Sequence, residues 1–156
     1  MIEFIKRLFL GRRILGLVLA IATTVILGVI FQTQNVLARL GGIGADITIA
    51  ERFSMTLYDV LHLGSLYAVF VAPALLIAIL ICDIITPRIQ FARPPIYGLG
   101  GAAAIYVMLF AMKMKFFDIH MLAGARDALG IGLQMFAGAL GGLLFVKINQ
   151  PKIKAG

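Results

Sequence analysis

The chain has 156 residues, of which 62% are hydrophobic and only 13% charged, and its mean hydropathy is +1.04. A soluble domain carries charge at about a quarter of its positions, so a water-soluble globular fold is excluded. The net charge of +7 comes from 14 Lys and Arg against 7 Asp and Glu, but the basic residues sit at the ends of apolar runs and near both termini. That distribution argues against nucleic acid as a partner and for anionic lipid head groups.

The first element follows a basic start containing Lys6, Arg7, Arg12 and Arg13. From Ile14 to Ala38 no residue is charged. This run is longer than the 7–15 residues of a signal-peptide core and no A-x-A cleavage pattern follows it, so a retained first span over about 14–33 is expected.

The connection Thr33–Asp59 is the longest between spans and has structure of its own. Leu40-Gly-Gly-Ile-Gly44 reads as a breaker, and Thr48-Ile-Ala-Glu51 fits the S/T-x-x-E capping box. Ile49, Phe53, Leu57, Val60 and Leu61 then recur on one helical face. These signals predict a short amphipathic helix at the outer interface over about 49–59, leading into the second span.

That second span, about 60–82, carries Pro73 near its middle. Proline removes a backbone donor, so a kink is expected there, and a hinge is the functional alternative. Cys82 closes the span and is the sole cysteine, which rules out an intramolecular disulfide and any CxxC motif. A short loop through Pro87 leads to Pro94-Pro95, suited to the first turn of a third helix over about 95–112. Gly98, Gly101 and Ala102 to Ala104 give that helix a small-residue face.

The loop Lys113–Asp127 places Phe116-Phe117 at interface depth. The fourth span, about 128–147, is the richest in glycine: Gly130, Gly132, Gly138, Gly141 and Gly142. Gly138 and Gly142 make a GxxxG pair, which lets two backbones approach closely. The close neighbour is either the third span or another protein. Gln134 is the strongest polar group at depth in this helix and is suited to a hydrogen bond between helices. Gln150-Pro151 ends it, and a basic tail follows.

Together these features predict an all-α integral membrane protein, one membrane domain over 1–156 with four transmembrane helices and a short interfacial helix. Alternating sides of the membrane receive unequal charge. Lys6, Arg7, Arg12, Arg13, Arg88, Arg93, Lys147, Lys152 and Lys154 share one side, and only Arg39, Arg52, Lys113, Lys115 and Arg126 the other. The positive-inside rule then gives an inner-membrane protein with both termini cytoplasmic.

Function is less constrained. Apart from Lys147 at the very end of the fourth, the spans contain no Asp, Glu, Lys or Arg, whereas a charge at a helix centre costs at least about 2.5–3.5 kcal/mol and survives mainly where ion chemistry needs it. No Walker A, GxGxxG, HExxH or GxSxG pattern occurs, and no cofactor or metal is expected. The leading expectation is a non-catalytic accessory or scaffold subunit that self-associates or docks on a larger membrane complex. A passive channel or small-molecule transporter built from several copies is the first alternative. A lipid-head-group enzyme is the second, resting on Asp59 and His62 at i, i+3 and on Asp118 and His120 from the same side.

Overall fold

The computed structural model describes residues 11–88, 93–115 and 127–149. The described residues form four long helices: α1, Gly11–Gly42; α2, Ile49–Ile85; α3, Arg93–Lys115; and α4, Ala128–Asn149. A 3-10 turn, Thr86–Arg88, follows α2, and no strand occurs among the described residues. All four helices are long and apolar enough to cross a membrane.

Two sequence expectations need correcting. The stretch 33–59 is not a long connection: α1 continues to Gly42, and only residues 43–48 lie between the helices. Nothing from Thr33 to Leu40 opposes a helix, whereas the glycines after it do. The chain leaves α1 with the amides of Ile43 and Ala45 both donating to the Leu40 carbonyl, and Gly44 takes φ +93, a left-handed conformation that glycine adopts without a Cβ clash. Nor is there a separate short helix over 49–59. Those residues are the first three turns of α2, which runs unbroken through Pro73 to Ile85. The capping box is formed: the Glu51 amide donates to Thr48 Oγ1, and the Thr48 amide donates to Glu51 Oε2.

The helices alternate in direction and pack in a ring, α1 beside α2, α2 beside α3, α3 beside α4, and α4 closing against α1. The axis is filled by Val29, Val71, Leu75 and Ile105, each fully or almost fully buried. Large apolar side chains cover the outside of every helix: Val18 and Ile26, Val69 and Ile77, Val107 and Phe110, Leu129 and Phe136. Apolar exposure on this scale is untenable in water. Lipid satisfies it, and the chain is a multi-pass membrane protein.

With lipid outside, the helices gain little from hydrophobic segregation and must pack closely instead. Glycine makes this possible. A Cβ on Gly101 would collide with the Gly138 carbonyl, and one on Gly142 with the Tyr97 carbonyl, so α3 and α4 touch backbone to backbone. A Cβ on Gly141 would strike Thr24 Oγ1 and the Ala20 carbonyl on α1. A Cβ on Gly98 would come into van der Waals contact with Leu143. Helix α4 is thus wedged between two neighbours of the same chain.

Candidate functional site

Polar side chains gather at three levels of the bundle. At the end where the described helices begin and finish, Asp83 of α2 pairs with Arg13 of α1 and accepts a hydrogen bond from the Tyr97 hydroxyl of α3. Tyr97 stacks on Phe145 of α4 with ring centroids 5.7 Å apart, and the Arg13 guanidinium lies over the same ring at 5.9 Å. Four helices meet in one cluster. The Cys82 thiol beside it donates to the Ile96 carbonyl at 3.6 Å and lies against Gly100.

Half-way along the bundle, Gln134 joins three helices. Its Nε2 donates to the Gly28 carbonyl of α1 at 2.8 Å, and its Oε1 accepts from the Tyr67 hydroxyl of α2 at 2.8 Å. Gly28 is needed there, since a Cβ would meet both Gln134 and Tyr67. The knot is self-satisfied and dry, with Gln134 only 1% exposed. This is an internal tie with no group left over for chemistry.

The third level lies at the opposite end, where Thr33 Oγ1 of α1 donates to Asp59 Oδ2 of α2 at 2.7 Å. Measured along the helices, Arg13 to Thr33 is about 30 Å and Asp59 to Asp83 about 36 Å. Those lengths are of the order of a hydrocarbon core, about 30 Å. Beyond Thr33 and before Asp59 the two helices continue as a hairpin. Gln34 Nε2 donates to Thr56 Oγ1 at 2.9 Å across it, and Arg52 Nη1 to Gln34 Oε1 at 3.4 Å.

Asp127, just before α4, ties the base of this hairpin to the rest of the bundle. It pairs with Arg39 at 2.6 Å, accepts from Asn35 Nδ2 at 3.3 Å, and caps α4 through the Gly130 amide at 2.9 Å. The Arg39 hydrogen bond first, and the Gly130 amide second, push its carboxyl down to about 2.

A half-open groove of about 470 Å3 runs between α1 and α2 at the Thr33–Asp59 level. Its walls include Val36, Leu37, Leu40, Met55 and Leu63, and Gln32, Thr33, Ser54, Tyr58 and Asp59 contribute its polar groups. Gln32 is 7% exposed, and its Oε1 is buried without a hydrogen-bond partner among the described residues. Buried acceptors are ordinarily satisfied. Asp59 belongs to neither ion pair formed between described residues.

The residues singled out from the sequence fall unevenly across this arrangement. Asp59 turns toward Thr33, while His62 is exposed, stacked on Tyr58 at 4.1 Å with its Nδ1 at the Tyr58 carbonyl. Asp118, His120 and Phe116-Phe117 lie outside the described residues. Among the described residues no group of three or more His, Cys, Asp or Glu is placed to hold a metal. Gly98, Gly101, Gly138, Gly141 and Gly142 lie in the α3–α4 and α1–α4 contacts, and Gln134 in the central knot. Pro73 is exposed on the outside of α2. Sequence reasoning passed over Gln32, Thr33, Arg13, Asp83 and Tyr97. Their signal was positional: polar residues at matching depths on consecutive antiparallel helices. No family model, curated protein or solved structure matches this chain.

Proposed function

We propose that this protein is a non-catalytic accessory or scaffold subunit of an inner-membrane complex, docking on a larger membrane partner through the α1–α2 hairpin. The observation that carries this reading is the stripe Ile49, Phe53, Leu57 and Leu61, exposed by 86, 72, 51 and 65%. With the edge of the hydrocarbon core taken at Asp59, Phe53 stands about 9 Å and Ile49 about 15 Å beyond it along the helix axis. The head-group layer adds only about 5–8 Å per side, which leaves the far half of the stripe out of reach of acyl chains. The hairpin holding it is tied internally by Gln34–Thr56 and Arg52–Gln34 and at its base by Arg39–Asp127. A rigid apolar ridge standing in water is a feature of protein interfaces.

In this proposal the hairpin faces away from the cytoplasm, following the excess of Lys and Arg at the opposite end. Gly138, Gly141 and Gly142 of α4 are occupied within the chain and are unavailable as a second docking face. A path through a single bundle gains no support from an axis filled by Leu75, Ile105 and the Gln134 knot.

The test is the double variant Phe53→Ser, Leu57→Ser, whose changes touch only exposed positions and leave the bundle folded. Blue-native electrophoresis of mildly solubilised membranes should show the wild-type chain in a large assembly and the variant released as a helical monomer. An assembly of unchanged size in the variant would overturn the docking site.

A further inference from the structure

We infer that the lipid-facing side of α3 is a contact between two copies of this chain, paired through the Tyr106 hydroxyl. The chain has four tyrosines. Tyr67 and Tyr97 turn inward and donate their hydroxyls to Gln134 and Asp83. Tyr58 stands on the hairpin, stacked on His62. Tyr106 turns outward, 49% exposed, and its hydroxyl makes no hydrogen bond among the described residues. Its depth makes that costly. Tyr106 lies about 20 Å from Arg93 and about 14 Å from Lys115, the two ends of α3, along the helix axis. The register against α4 agrees: Gly101 meets Gly138 and Tyr97 meets Gly142, which puts Ile105 level with Gln134 of the central knot. Helical side chains lean toward the N-terminus, so the ring is carried away from the nearer end and over the turn that holds Ala103. The hydroxyl therefore stays among acyl chains, which offer no acceptor at that depth, and an unmet polar group in hydrocarbon is strongly disfavoured.

The residues around Tyr106 select a second helix as its partner. Leu99, Ala103, Tyr106 and Phe110 are all exposed, and their alternating spacing of four and three residues makes a narrow seam of the kind that pairs two helices. The seam faces away from Gly101, which is pressed against α4, and Ala103 leaves room beside the ring for a neighbouring helix. On α1 and α4 the outward side chains at this depth are apolar, Ile26 and Phe136 among them, so those faces ask for nothing but lipid. A second copy answers Tyr106 directly. A two-fold axis along the membrane normal holds the two Tyr106 residues at one depth, and a phenol hydroxyl both donates and accepts. The seam then covers itself, and each hydroxyl finds its partner without any change of tilt or depth. This contact lies apart from the hairpin ridge and is independent of it. One hydrogen bond and a narrow seam hold two chains that share a bilayer but separate on dilution into detergent, so a particle released by the hairpin variant remains a monomer.

The experiment uses the purified full chain in phosphatidylcholine vesicles, with donor and acceptor dyes on Lys147→Cys in a Cys82→Ala background. Energy transfer should exceed that of randomly mixed chains and saturate as a dimer when the protein-to-lipid ratio rises. Tyr106→Phe keeps the ring and removes only the hydroxyl; it should weaken the pairing about three- to twentyfold, the range of one hydrogen bond between membrane helices, with thermal melting of the chain unchanged. A second readout is geometric. Ala103→Cys in the same background should form a disulfide between chains under a lipophilic oxidant, whereas Phe136→Cys, level with it on α4, should not. Transfer no greater than random mixing, pairing of equal strength in Tyr106→Phe, or equal cross-linking at the two cysteines would each overturn the assignment. So would a Tyr106→Phe variant that loses the large native assembly with its self-pairing intact, since the hydroxyl would then serve a different chain.

Discussion

A single amide organises the middle of this protein. Gln134 donates to the Gly28 carbonyl and accepts from Tyr67, so one side chain on α4 fixes the position of α1 and α2. Hydrogen bonds between helices in membranes average about 0.6 kcal/mol and reach about 1.7, and the burial of this pair places it toward the upper part of that range. A double-mutant cycle of Tyr67→Phe and Gln134→Leu, read by unfolding in bicelles, should return a coupling of about 1 kcal/mol; additive single effects would show that the two act separately. Gly101 and Gly142 behave differently, because their neighbours are backbone atoms that cannot move aside. Gly101→Val should prevent the α3–α4 contact and abolish the folded monomer, while Gly132→Val, at a position with open space around it, should leave thermal melting unchanged. The sequence made the abundance of glycine plain and marked Gln134 as a polar group at depth. It was silent on which glycine meets which helix, since small residues at three- and four-residue spacing lie on more than one face of α4.

The α1–α2 hairpin shows how local signals were read well and joined badly. Thr48 and Glu51 identified the start of a helix, and the cap is formed as written. Thr48→Ala should cost about 1 kcal/mol locally, seen as faster amide exchange over residues 49–52 with the remainder of α2 unaffected. What the sequence left unclear was continuity. The first span was ended near residue 33 by the length needed to cross a membrane, yet that length limits where lipid ends and says nothing of where a helix ends. Gln34, Arg52 and Thr56 satisfy one another across the hairpin and tie the two helices together beyond the Thr33–Asp59 level. Asp127 supplies a pH test of the same element. Its folded pKa of about 2 lies below the unfolded value near 3.9, so its contribution to stability is complete above pH 4 and disappears as pH falls from there through about 2. Acid titration over that interval should loosen the contact between the hairpin base and α4, and Asp127→Asn should remove the acid dependence while weakening the contact at neutral pH.

For the molecule as a whole, the number of crossings was legible because hydrocarbon is an unforgiving solvent: four apolar runs of sufficient length give four helices. An even count puts the beginning of α1 and the end of α4 on the same face of the membrane. The charge bias predicts that this face is cytoplasmic. In a Cys82→Ala background, a membrane-impermeant maleimide should label Ala45→Cys in intact cells and Lys147→Cys only after permeabilisation; the reverse pattern would invert the orientation and move the hairpin inside. The groove was not legible, because its lining comes from both α1 and α2 and meets only after the helices pair.

The fixed spacing between the Arg13–Asp83 pair and the Thr33–Asp59 contact has one more consequence. Ions at both ends of the same rigid helices act as a gauge for acyl-chain length, and a bundle tied at every level cannot shorten by shearing. Short-chain lipids would have to stretch, or the bundle tilt, at a cost of fractions of a kcal/mol for each ångström of mismatch. Stability measured across a series of phosphatidylcholines should peak at one chain length and fall on either side, which would sort this protein among cellular membranes with no sorting signal in its loops.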